Sequence, residues 1–211
     1  MSTIVIDIET APNLSFEMEE KMIAEAKWPS NYKDPAKIQE WLAEYAVKIR
    51  DKAALSPLTG KIIAIGMSDI REDEVWTATN KDDERAVLEE FKRVFESYAR
   101  TGSVTVAGFN VREFDVPFIL GRCIVNDMLP YGFPRKGKDW QRVLDVRDSI
   151  PDGSLDQWST ALGIGRKAHA SNGIWLFEPS EIEAQVSTDV VLTRTIMRRL
   201  IPQRDTAFYA D

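Results

Sequence analysis

The chain has 211 residues and a mass of 24.0 kDa, with 44% apolar and 29% charged residues, enough to build a core without a disulfide or a structural metal. A single cysteine, Cys123, and a single histidine, His169, exclude an internal disulfide and a Cys/His zinc site of the usual kind. The net charge of −7 is no footprint for a sequence-independent duplex binder, although the acidic excess lies almost wholly in the first hundred residues.

The N-terminal MSTIVIDIETAP carries acids where a secretory signal has a positive flank and an apolar stretch, so the expected address is the cytoplasm. Within it, residues 3–8 (TIVIDI) are β-branched and predict a first strand. Residues 10–30 hold Pro12 and Pro29 and predict a loop with a helical piece. Asp34-Pro35 then opens a helix, with an acid at the cap and proline at the first position. Its Ile38, Trp41, Leu42, Tyr45 and Ile49 fall on one face, which is expected to pack on the body of the domain. Ser56-Pro57 stops it, so residues 10–57 form an insertion between the first two strands. Residues 61–68 (KIIAIGMS) predict the second strand and residues 74–78 its hairpin partner. A second amphipathic helix starts at Asp82 and ends at Gly102. Residues 104–109 predict a strand, 116–126 a helix, 130–139 a loop, and 140–146 a strand. A short helix covers 154–162 and is closed by Gly163. Ser180 and Glu183 form a capping box for a last helix running to about Leu200, before Pro202. Strands first, then alternating helices and strands, predict one α/β domain over 1–211 with a mixed sheet.

Three acidic groups stand out. Asp7 and Glu9 flank Ile8 at the end of the first strand and point to one face, since strand side chains alternate. Two adjacent carboxylates repel unless a divalent cation sits between them; otherwise they are a solvated strand end. Asp115 closes Asn110-Val111-Arg112-Glu113-Phe114-Asp115, between a strand and a helix, where α/β folds collect function. Alone it would be a dipole-favoured acid at a helix start. Asp189 lies inside the last helix beside Val190 and Val191, at the edge of an apolar face, and is either solvated or paired with a cation.

The order, spacing and settings of these residues resemble the DEDD superfamily of 3′–5′ exonucleases, in particular the predicted exonucleases related to the proofreading domain of family B DNA polymerases. Asp7 and Glu9 match the first motif within IVIDIETAP; Asn110, Phe114 and Asp115 match the second; Asp189 matches the third. KIIAIGM, LDVRD and SLDQWSTALGI fit the intervening layout, and the insertion matches least. The resemblance implies a ribonuclease-H-like mixed sheet flanked by helices, with a helical insertion after the first strand. It implies hydrolysis of phosphodiester bonds at single-stranded DNA or RNA 3′ ends by a mechanism with two ions, Mg²⁺ or Mn²⁺. On that resemblance Asp7 would serve both ions, Glu9 and Asp189 would complete the water-activating site, and Asp115 would serve the second ion. Thr10 and Ala11 are placed against the terminal nucleotide, and Asn110 and Phe114 on its base side. Lys136, Lys138, Arg166 and Lys167 are candidates for a phosphate clamp, and Trp28 and Trp41 for a lid or for core.

One departure bears on activity. The family carries a tyrosine four residues before the last aspartate, or a histidine five before it; here Gln185 and Ala184 stand there. Glutamine orients a water but takes no proton. Gln185 is therefore expected to make a slow exonuclease, with His169 a second candidate for the missing group. The competing readings are a catalytically weakened nuclease fold that binds nucleic acid or a protein partner, and an unrelated α/β domain.

Overall fold

The structure is a computed structural model that describes residues 1–137, 139–167 and 173–200. Five strands form a single mixed sheet: β1 (Ser2–Pro12), β2 (Gly60–Asp69), β3 (Trp76–Thr79), β4 (Val104–Gly108) and β5 (Val143–Asp145). Their spatial order is β3-β2-β1-β4-β5. β1 pairs antiparallel with β2 and parallel with β4; β2–β3 is antiparallel and β4–β5 parallel. The helices are α1 (Phe16–Ala24), α2 (Pro35–Ala54), α3 (Glu84–Thr101), α4 (Asp115–Val125), α5 (Leu155–Ala161) and α6 (Pro179–Leu200). No helix among the described residues is long and apolar enough to cross a membrane.

Alternation along β1 divides the core. Ile4, Ile6 and Ile8 pack with Val87, Leu88 and Phe91 of α3 and with Phe118 and Ile119 of α4. Val5 faces the other way, toward Val190 and Ile196 of α6. Cys123 is buried on the first of these faces, as a small hydrophobe. Two glycines set how closely neighbours approach. Gly66 is the cross-strand partner of Asp7, and a Cβ there would stand 3.0 Å from Val190 Cγ2 and 3.2 Å from the Val186 carbonyl. A Cβ on Gly108 would stand 2.7 Å from Val111 Cβ and 2.9 Å from the Ile6 carbonyl, so the chain can fold back at the end of β4 only without a side chain.

The strands differ from the sequence expectation where tertiary partners decide. β1 does not end at Ile8; β2 carries it to Pro12 through a register shift between Glu9 and Thr10, so the acids lie within the strand. Its parallel pairing with β4 stops at Val5, which leaves one edge of β1 open beside the acids. The strand expected over 140–146 shrinks to three residues between 3₁₀ turns at Trp140–Arg142 and Val146–Ser149. The buried Asp145 carboxylate accepts the backbone N–H groups of Asn110, Arg112 and Arg147, and so bends both segments out of the sheet.

Helix starts follow local capping chemistry, with two shifts. Asp34 accepts the Ala36 N–H ahead of Pro35, as expected, whereas Asp83 rather than Asp82 caps α3. The last helix starts one residue before Ser180: Glu181 accepts the Glu178 N–H, and Glu183 accepts the Thr77 hydroxyl instead of capping. Pro202 lies outside the described residues.

The insertion holds both α1 and α2. α2 is buried at its C-terminal end, through Ile49, Ala53 and Ala54. Ile38, Trp41, Leu42 and Tyr45 are half-buried, with the Trp41 and Tyr45 rings stacked 4.9 Å apart. α1 buries no residue and is tied to α2 by Arg50 and Glu19 at 2.7 Å. Trp28 is exposed. The face expected to lie on the domain is therefore fully buried at its C-terminal end and half-buried before it.

Candidate metal centre

The open edge of β1 is where the acids gather. Asp7 and Glu9 share the α6 face of the strand, and the close approach that Gly66 allows brings Asp189 of α6 onto that face. Carboxylate oxygens of Asp7, Glu9 and Asp189 lie within 4.8 Å of one another. Asp115, the first residue of α4, reaches in from the far side. Its Oδ1 accepts the Ile8 N–H at 3.1 Å, a donor left without a strand partner where β4 turns away.

Each of these acids is held above the ordinary carboxylate range. For Asp7 the causes are loss of hydration and then the charges of Asp189, Asp115 and Glu9. Burial and Asp189 push Glu9 up to about 8, with Lys167 opposing. Burial pushes Asp115 up to about 7 against the backbone N–H groups it accepts. Asp189 is raised by burial, with Lys167 and Gln185 drawing it back. Such a cluster is costly without a cation. The donor set fits a hard divalent ion: it is all oxygen, and Asp189 Oδ1 is buried without a hydrogen-bond partner.

Lys167 and Gln185 contact the cluster. Lys167 Nζ stands 2.5 Å from Asp189 Oδ2, and its backbone N–H donates to Asp156 Oδ1 at 3.1 Å. Burial works to lower the Lys167 ammonium, but Asp189, Asp7 and Glu9 outweigh it and raise it. Gln185, one turn before Asp189 and 1% exposed, donates from Nε2 to Asp189 Oδ2 at 3.2 Å. One N–H of its amide is thus directed at the acid.

A cleft of about 1120 Å³ opens over the acids. Thr10, Asn110 and Phe114 line it, and Phe114 also packs on the Phe118 ring at 5.5 Å. Ala11 does not line it; its side chain is buried against Ile63 and Ile174. Among the described residues of the expected phosphate clamp, only Lys167 is in the cleft: Arg166 is exposed on the surface, and Lys136 lines a separate cavity at the end of α3. Lys138 and His169 lie outside the described residues. The end of α2 contributes Asp51, Ala54 and Leu55 to the wall.

Sequence reasoning missed Arg147, which lines the cleft and donates to Asn110 Oδ1 at 2.7 Å. Its signal was positional: it follows a parallel strand at the carboxyl edge of the sheet, where such folds bind ligands. It missed Phe109, Trp175 and Asp156 as well, for which periodicity offers no signal.

No protein-family model and no curated protein matches the sequence. Among solved structures, the chain is similar to the family B DNA polymerase from the hyperthermophilic archaeon Pyrobaculum calidifontis. The identity is 14% and the TM-score 0.59, over 95% of this chain and 24% of that one. It is also similar to E. coli Exonuclease I in complex with a 5cy-dT13 oligonucleotide, at 13% identity and a TM-score of 0.46, over 99% of this chain and 41% of that one. The chain thus spans about a quarter of the polymerase's length. The polymerase likeness shows the fold, a ribonuclease-H-like mixed sheet flanked by helices.

Proposed function

We propose that residues 1–211 act as one DEDD-type 3′–5′ exonuclease domain that hydrolyses single-stranded DNA or RNA ends. The observation that carries this reading is the meeting of Asp7, Glu9 and Asp189 within 4.8 Å beside buried Asp115, each held toward its protonated form. Asp7, Glu9 and Asp189 would hold one Mg²⁺ or Mn²⁺, and Asp7 with Asp115 a second. Bound ions of this kind supply a water that is nucleophilic at neutral pH and charge stabilisation for the leaving oxygen.

The chain's own groups do the rest. Gln185 and Lys167 fix Asp189 from two sides. Thr10 and Asn110 offer polar contacts to the last nucleotide, and Phe114 offers an aromatic edge that is indifferent to base identity. Gln185 stands where the family carries its tyrosine, and the rate is correspondingly low.

The test is digestion of 5′-labelled single-stranded DNA and RNA in Mg²⁺ and in Mn²⁺. A ladder shortened from the 3′ end, lost in Asp7→Asn, is the expected result. A strand bound but left intact in both metals would favour the alternative, a weakened nuclease fold that binds nucleic acid.

A further inference from the structure

A polyanionic strand has to enter a cleft that is itself acidic. Among the described residues, seven carboxylates line it against two basic side chains, Lys167 and Arg147. Two divalent ions would offset the four central acids, but not those at the rim. Lys167 is already committed to Asp189. Arg147 differs: it is exposed, and no carboxylate among the described residues pairs with it.

Arg147 is nevertheless held. Its guanidinium donates to Asn110 Oδ1 at 2.7 Å, which uses one of five N–H donors. Its backbone N–H and that of Asn110 both donate to Asp145 Oδ1, at 3.0 and 2.8 Å. That one buried carboxylate fastens the turn after β4 to the turn after β5. It also holds Asn110 at φ 67°, a left-handed conformation that few residues other than glycine adopt. A pre-set side chain loses less freedom on binding than a free surface lysine does. Arg147 also stands on a boundary. It lines both the acid cleft and a neighbouring cavity of about 420 Å³, which Arg112 and Trp140 line together with Glu113, Asp145, Asp148 and Asp152; Asp148 there is paired with Arg112 and Asp145 accepts backbone N–H groups. A strand whose last nucleotide sits at the acids and continues into that cavity passes over Arg147.

We propose that Arg147, clamped by Asn110 at the mouth of the cleft, takes a backbone phosphate of the substrate strand on the 5′ side of the scissile bond. This rests on the nuclease reading. It makes Arg147 a substrate-binding residue that recognises nucleic-acid backbone rather than base.

The test is binding of a 5′-fluorescein oligothymidylate to the full chain in Ca²⁺, across a range of salt. Arg147→Ala is expected to weaken binding and to lower the slope of log K against log salt by about 0.7, the loss of one phosphate contact on a single strand. Arg147→Lys, which keeps the charge, retains the wild-type slope. In a scan of single neutral methylphosphonate linkages, one position on the 5′ side of the scissile bond abolishes the difference between wild type and Arg147→Ala. A wild-type slope in Arg147→Ala, or a difference that survives at every position, overturns the inference while leaving the nuclease reading in place. Wild-type chain that neither binds nor shortens the oligonucleotide overturns both.

Discussion

Asp7 is the residue on which most of the site's electrostatics converges, since the charges of Asp189, Asp115 and Glu9 all act on it. Replacing that carboxyl by an amide of the same shape removes the cost of keeping a titratable acid in the cluster. Asp7→Asn is expected to raise the melting temperature of the chain in EDTA and to abolish the further rise that Mg²⁺ or Mn²⁺ gives wild type by mass action. Thermal scans with and without metal check both halves. Gln185 acts one step away. One N–H of its amide holds Asp189, so its removal loosens an acid that Lys167 also holds. Gln185→Ala is expected to cost about 10–100-fold in hydrolysis or metal affinity, the usual scale for a group that orients a ligand. Metal titration followed by single-turnover cleavage measures it. A change below threefold would mean that Lys167 alone fixes Asp189.

At the scale of elements, the site depends on how closely α6 lies on the sheet. Gly66 sets that distance, because a branched side chain there must displace Val186 or Val190. Gly66→Val is expected to cost about 1–3 kcal/mol of stability through overpacking. It is also expected to weaken metal binding more than its distance from the acids implies, since Asp189 moves with the helix. Denaturant unfolding together with Mn²⁺ titration distinguishes this from a purely local effect. The insertion is uneven in the same physical sense. Ile49 is 4% exposed against the body, whereas Ile38 is only half-buried. Ile49→Ala is expected to cost about 2–5 kcal/mol, as for a buried isoleucine, and Ile38→Ala under about 1 kcal/mol, both read from urea midpoints.

For the whole molecule, the raised acids couple folding to pH. Glu9 at about 8 and Asp115 at about 7 in the folded chain both lie above their unfolded values. The folded state therefore binds more protons than the unfolded one. Their contribution is fully present below the ordinary carboxylate range and is lost as pH rises through these folded values. In EDTA the melting temperature is expected to fall between about pH 5 and about pH 8 from this cause, and the stabilisation by Mg²⁺ to grow over the same window. A flat metal-free profile over that range would mean that Lys167 neutralises the cluster by itself.

The inventory of residues and their local directions are legible in the chain without its fold. Parity along β1 puts Asp7 and Glu9 on one face; Asp34-Pro35 starts α2; the Gln185–Asp189 spacing puts both on one side of α6. These follow from capping chemistry and from periods of two and 3.6 residues, which any chain carries locally. Tertiary structure decided which faces meet and where pairing stops. β1 runs on to Pro12 because β2 is there to pair with it, and its other edge opens because β4 leaves at Gly108. That opening is what presents the Ile8 N–H to Asp115, 107 residues away in the chain. The same kind of long-range closure sets Lys167 on Asp189 and Arg147 on Asn110. A side chain's direction is fixed by its own element, but its partner is fixed by packing between elements, and no local period encodes that.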